Sequence, residues 1–169
     1  RFTLHPTTPP HHEKCLRPFL WLFCTRVPSR GRFAIFDRSW YGRVLVERAE
    51  GFAEEVEWRR AYAEINEFEQ QLTRHGTVLL KCWIHITKEE QFKRFKERET
   101  IPHKQWKLTE EDWRNREKWD DYELAANDLV EHTSTNTAPW VIVEGNDKAY
   151  ARVKVITTLC DRLEAALKK

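Results

Sequence analysis

The chain of 169 residues has no methionine, only five glycines and only four cysteines. None of the glycines, Gly31, Gly42, Gly51, Gly76 and Gly145, opens a G-x-x-x-x-G-K run. The nest of backbone donors that such a run builds around phosphates is therefore not encoded in this stretch. Cys15, Cys24, Cys82 and Cys160 are scattered and form no C-x-x-C pair. That argues against a metal site or a disulfide framework and for free thiols in a reducing compartment, so the expected location is cytoplasmic. No apolar run approaches the roughly 18 residues of a membrane span. No signal-peptide pattern is visible at the start, and no membrane partner is expected. The net charge of +2 is too small to imply a nucleic-acid partner, so any anion binding must come from local clustering. His11 and His12 are adjacent, which suits neither one helical face nor a tetrahedral ion. Methionine is missing even at position 1, where Arg1 leads straight into strand-like residues, and the expectation is that further sequence precedes it.

What is present reads as a globular domain, 40% hydrophobic and 33% charged. At this length one domain with a real core is expected. Apolar periodicity and turn signals alternate between strand and helix. "RFTLH" (1–5) predicts a strand, 13–27 a helix, "RFAIF" (32–36) a buried strand, and 39–50 a further helical segment. Ala61, Ile65, Phe68 and Leu72 recur at helical spacing, with Gly76 as the cap. "TVLLKCWIHI" (77–86) predicts the longest strand. Thr87 with Glu90 reads as a capping box for a helix over 88–98, and Thr109 with Asp112 opens another that runs, with a bend allowed, to about 132. "WVIVE" (140–144) is the last strand, before a helix over 147–167. Apolar strands alternating with helices predict an α/β fold with a parallel sheet covered on both faces. Ligands of such sheets bind beyond the C-terminal ends of the strands.

Asp37 stands at that end of "RFAIF", directly before Arg38. A carboxylate there suits Mg²⁺ bridging phosphate oxygens, and the guanidinium offers a fork of donors to phosphate. The same pair could instead be a helix cap and a surface ion pair, and the short pattern does not separate the two. A second cluster, "KRFKERETIPHKQWK" (93–107), carries six cations against two carboxylates, a net of +4. Broken by Pro102, it has the character of a lid that brings cations to a transferring phosphoryl group, or of an ordinary solvated charge run.

Four stretches in order, "FDRSWYGRVLVERAEGF", "AYAEINEFEQQL", "IPHKQWKLTEEDW" and "APWVIVEGNDKAYARVKVI", resemble the polyphosphate kinase 2 family over essentially the whole chain. The resemblance implies a P-loop-kinase-like, thymidylate-kinase-like parallel sheet with helices on both faces. It implies a single domain over 1–169 with a helical lid at 93–118, the first strand and P-loop lying outside it. It implies phosphoryl transfer from inorganic polyphosphate to a nucleotide, with Mg²⁺ as cofactor. The "SWYGRVLVER" form is most similar to members that convert AMP to ADP. Asp37 and Arg38 match the family's Walker-B pair, Asp37 holding the metal. Arg94, Arg98, Lys104 and Lys107 fall in the polyphosphate-binding lid. Arg43 and Glu47 lie in the segment assigned to the nucleotide, although Glu47 reads equally as a helix-surface residue. A homo-oligomer is compatible with the resemblance. In related kinases the missing strand is central, so without it "RFAIF" and "TVLLKCWIHI" are expected to lack a shared neighbour. Two rival functions stand beside this one: a non-catalytic polyphosphate-binding or degenerate half of a two-domain member, and a nucleotide kinase using ATP.

Other residues are weighed against simpler roles. Trp40, Tyr41, Trp58 and Trp140 could stack on a nucleobase, but aromatic side chains of this kind more often pack a core or groove. Thr133, Thr135 and Thr137 precede the last strand and read as a connection or a pocket wall. Arg114 and Arg116 could extend the positive field of the lid, partly cancelled by Glu110, Glu111 and Asp112.

Overall fold

In a computed structural model that describes residues 2–6 and 17–168, strands and helices alternate along the chain. The elements are β1 (Phe2–Pro6), α1 (Trp21–Cys24), β2 (Phe33–Asp37), a 3₁₀ turn (Trp40–Arg43), α2 (Val46–Ala49), α3 (Glu55–Arg74), β3 (Lys81–His85) and α4 (Lys88–Thr100). A second 3₁₀ turn (Pro102–Lys107), α5 (Glu110–Glu117), α6 (Trp119–Thr133), β4 (Trp140–Glu144) and α7 (Lys148–Leu167) complete it. Two compact units divide the chain, one formed by residues up to Thr77 with Ala125–Thr133, the other by Val78–Leu124 with Ser134 onward. No helix among the described residues is long and apolar enough to cross a membrane.

In the first unit α3 buries Ala61, Ile65 and Phe68 of the predicted stripe, while its fourth member, Leu72, is only half-buried. A capping box starts the helix: the Glu57 carboxylate accepts from the Glu54 amide at 3.0 Å. The other end is a Schellman motif: Gly76, at φ +91°, donates to the Thr73 carbonyl and Thr77 to the Leu72 carbonyl, both at 3.0 Å. Phe23, Trp40, Tyr41 and Val44 join this core, with Ala125, Ala126 and Leu129 from α6.

Parallel pairing sets Phe2 opposite Phe33 and Leu4 opposite Ile35. Residues two apart share a sheet face, so these four apolar side chains lie together, and they are 69, 47, 56 and 52% exposed in that pairing order. The opposite face carries Phe36, which packs against Phe23 and Trp40. The expectation of a sheet buried on both faces therefore fails for this pair. Among the described residues each unit holds one parallel ladder: β1 pairs with β2 in the first and β3 with β4 in the second.

In the second unit β3 and β4 are in register from Lys81–Trp140 to His85–Glu144. β3 covers half of the predicted 77–86 because β4 offers only five residues to pair with. Thr87 caps α4 by accepting from Glu90 N at 3.2 Å, but the reciprocal bond goes elsewhere: the Thr87 amide donates to Asn146 Oδ1 at 3.0 Å. Thr109 and Asp112 form the full predicted box at α5. The helix expected from there to 132 is broken at Lys118, whose ψ of +24° separates α5 from α6.

Two further boundaries are corrected. The helix expected over 13–27 is a single turn, Trp21–Cys24, among the described residues. Pro18 lacks the amide hydrogen that a helix interior uses, and Trp21 N donates to its carbonyl at 2.9 Å. Residues 13–16, with Cys15, His11 and His12, lie outside the described residues. The helical segment expected over 39–50 is divided at Leu45, which leaves helical geometry at φ −112°, ψ −84°. Cys24, Cys82 and Cys160 are unbridged.

Candidate functional site

Asp37 is the last residue of β2, and its exposed carboxylate makes no hydrogen bond or ion pair with another described residue. Ser39, not Asp37, occupies the cap position of the following 3₁₀ turn, and no side-chain cap bond forms there. Between them Arg38 adopts φ +57°, the only positive φ of a non-glycine residue among those described. Left-handed backbone is costly for a residue with a Cβ. The chain thus leaves the strand through one strained residue that carries a guanidinium beside an open carboxylate.

The core holds this turn in place. Trp40 Nε1 donates to Glu69 Oε1 at 3.0 Å, and the Tyr41 hydroxyl donates to the same oxygen. Burial, then the neighbouring Glu69 charge, pushes the Tyr41 phenol well above its ordinary range. Trp40 also meets the rings of Phe23, Phe36 and Phe68 at 5.8, 5.4 and 5.2 Å. These contacts place Trp40 and Tyr41 in the core. Arg43 pairs with Glu47 at 3.1 Å and with Glu57 at 3.5 Å, and stacks 5.2 Å from the Phe19 centroid. Burial raises the Glu47 carboxyl pKa; Arg43 opposes the rise and Glu57 reinforces it.

A constellation of which the sequence singles out only Trp58 surrounds Arg48. Its guanidinium is 2.7 Å from Asp128, donates to the Tyr62 hydroxyl at 2.9 Å and lies 4.2 Å from the Trp58 centroid. With Asn66 and His132 these residues line a cleft of about 500 Å³. Position 128 is far from 48 in sequence, and no local spacing signals their meeting. Arg59 approaches the Trp58 indole as well, at 4.9 Å.

In the second unit the lid candidates divide by their partners. Arg94 is committed: it pairs with Glu90 at 2.7 Å and donates to the carbonyls of Gly145 and Asn146 at 2.7 and 3.0 Å. Arg98 lies against Phe95 and Lys107 over Trp106. Neither they nor Lys104 pair with a described carboxylate. The segment after Ile101 is the 3₁₀ turn, closed onto α4 by Gln105 Nε2 donating to the Glu99 carbonyl at 2.7 Å. Arg116 donates to the Lys88 carbonyl at 2.7 Å and to Gln91 at 3.0 Å, which ties α5 to α4. Trp140 lies 5.3 Å from Lys81 Nζ; in the first unit Thr133 is buried, its hydroxyl donating to the Leu129 carbonyl.

Residues 2–169 match the family model for Polyphosphate kinase 2. The chain belongs to the polyphosphate kinase 2 family. It is 54% identical to the polyphosphate:AMP phosphotransferase of Pseudomonas syringae pv. tomato over 166 residues, which is 98% of this chain and 33% of that protein. Identity to the polyphosphate:AMP phosphotransferase of Pseudomonas aeruginosa is also 54%, over all of this chain and 34% of that one. This polyphosphate kinase 2 chain thus spans about a third of the length of these curated relatives. The crystal structure of a polyphosphate kinase 2 from Pseudomonas aeruginosa superposes with a TM-score of 0.96 at 54% identity, covering 99% of this chain and 36% of that one. The enzyme from Arthrobacter aurescens gives 0.94 at 41% identity, covering 97% and 58%. The α/β architecture with parallel strands is shared with these solved family members.

The donor set here is compatible with the divalent cation that the resemblance implies. No three His, Cys, Asp or Glu side chains converge among the described residues, so no all-protein cage exists there. Mg²⁺ is ordinarily held by one or two carboxylates together with substrate phosphates and water. The open Asp37 carboxylate at the end of β2 suits that mode.

Proposed function

We propose that this chain takes part in phosphoryl transfer from inorganic polyphosphate to a nucleotide, with AMP as acceptor and ADP as product. The observation that carries this is the strand-end turn: an unpaired Asp37 carboxylate followed by Arg38 in left-handed backbone. Asp37 would hold Mg²⁺, which supplies charge neutralisation on phosphate oxygens. Arg38 spreads positive charge over the transferring group. Arg98, Lys104 and Lys107, lacking carboxylate partners among the described residues, bind the polyanion. No strong base is required, because a nucleotide phosphate is already a nucleophile at neutral pH. Arg43 and Glu47 neutralise each other and orient the nucleotide segment. Arg94 supports the lid from beneath. A Gly-rich, Lys-bearing loop, which this reading needs, is not encoded in these 169 residues. A P-loop-kinase-like fold is part of the same proposal, supported by the parallel α/β architecture shared with solved family members.

The test is Asp37→Asn in a protein that carries the Gly-rich loop. Turnover should fall by about 10²-fold, some ~2.7 kcal/mol in barrier. Stability should hold, since Asp37 has no described partner to lose. Polyphosphate-dependent ADP formation is measured across a Mg²⁺ titration. Activity within a few-fold of the parent would remove Asp37 from the mechanism. Retained polyphosphate binding without turnover in the parent itself would favour a non-catalytic binding role.

A further inference from the structure

Glu69 lies in α3 and is 1% exposed. Glutamate is almost never fully buried unless paired, and a buried carboxylate is a poor device for stability alone, since an apolar side chain of similar volume often serves as well. Here the buried oxygen has a specific task. Trp40 Nε1 and the Tyr41 hydroxyl, donors on consecutive residues, converge on Glu69 Oε1. These two residues directly follow Arg38 and Ser39. Two hydrogen bonds from neighbouring residues to one fixed atom restrain both the position and the rotation of the turn. Apolar packing of the Trp40 ring against Phe36 and Phe68 leaves that rotation softer, because ring contacts are not directional in the way a hydrogen bond is.

We propose that Glu69 is a positioning residue: through Trp40 and Tyr41 it holds the Arg38 turn in its left-handed form and so fixes how Asp37 and Arg38 present their charges. The proposal rests on the phosphoryl-transfer reading for its kinetic consequence, but its structural consequence is independent of that reading. Misplacement of a positioned group by about 1 Å can cost on the order of 10²-fold in rate. A loosened turn would spend part of its time misplaced, while the nucleotide is still bound.

The experiment compares the full chain with Glu69→Gln, Tyr41→Phe and the double variant. Gln retains an oxygen acceptor but not the charge, and Phe retains the ring but not the donor, so both keep core volume. With AMP and polyphosphate, kcat should drop by about tenfold in each single variant while KM for AMP stays within about twofold. Acting through one contact, the double variant should lose little more than either single one. In parallel, amide hydrogen exchange should quicken across residues 38–45 and stay unchanged in β3, β4 and α7. Multiplicative losses in the double variant, an equal rise in KM, or exchange that quickens uniformly along the chain would each overturn the proposal. So would exchange at 38–45 that does not change. A parent protein that carries the Gly-rich loop and still forms no ADP refutes the phosphoryl-transfer reading, and the exchange measurement then decides the role of Glu69 by itself.

Discussion

Arg38 allows strain and charge to be separated by two substitutions at one position. Its φ of +57° places it in left-handed backbone. For a residue with a Cβ that conformation costs roughly 1–2 kcal/mol. Arg38→Ala keeps the Cβ and hence the strain, while Arg38→Gly releases it. Glycine gives back roughly 0.5–1 kcal/mol through the larger entropy of its unfolded state. Both variants lose the same guanidinium contacts, so these cancel in the comparison. The glycine variant should therefore be the more stable of the two by about 0.5–1 kcal/mol, or ~1–4 °C in Tm for a chain of this size. Turnover should fall in both, by about 10²-fold, because neither presents a cation to the phosphoryl group. Thermal unfolding by far-UV circular dichroism and ADP formation would be followed on the same samples. An alanine variant that melts at or above the glycine variant would show that the turn is not strained. A glycine variant with near-parental turnover would show that the side chain is dispensable.

Changing Lys104 and Lys107 together to Ala should weaken polyphosphate binding and flatten its salt dependence, read from affinities at several ionic strengths; an unchanged slope would make the segment a mere solvated face. Gly145→Ala would place a Cβ 2.7 Å from Ile84 Cγ2 and 2.9 Å from the His85 carbonyl oxygen, so a loss of about 1–3 kcal/mol is expected by denaturant titration. Glu47 has its folded pKa raised by burial, so the folded chain holds that proton more tightly than the unfolded one. Its contribution is then fully present below the ordinary carboxylate value and is lost as pH rises through the folded value. Glu47→Gln should remove that portion of the stability–pH profile, and a profile that keeps its shape would contradict the assignment.

Much of the fold is legible wherever one local signal suffices. Ala61, Ile65 and Phe68 define the buried stripe of α3, and Gly76 its end, because helical period and the need for positive φ act within a few residues. Thr109 and Asp112 likewise announce α5. Asp37 and Arg38 are legible as a pair from the abrupt end of an apolar strand, although the left-handed backbone between strand and turn is not. Glu69 escapes such reading, because a glutamate within a long helix looks like surface until residues 28 and 29 positions earlier deliver their donors to it. Arg94 reads as one more lid cation, yet carbonyls some 50 residues later claim its guanidinium. The extent of β3 depends on the length of its partner rather than on its own apolar run. In each case the deciding contact is long-range, and periodicity carries no information about it.

The bare face formed by Phe2, Leu4, Phe33 and Ile35 has a practical consequence for the melts described above. Environment-sensitive dyes such as ANS light up on clustered apolar surface and are used on the premise that such surface appears only when a protein loosens. This chain displays a patch of that kind while folded. A dye-monitored scan would begin bright, and its rise on heating would be compressed or inverted. Label-free signals are the sound choice for comparing variants of this protein.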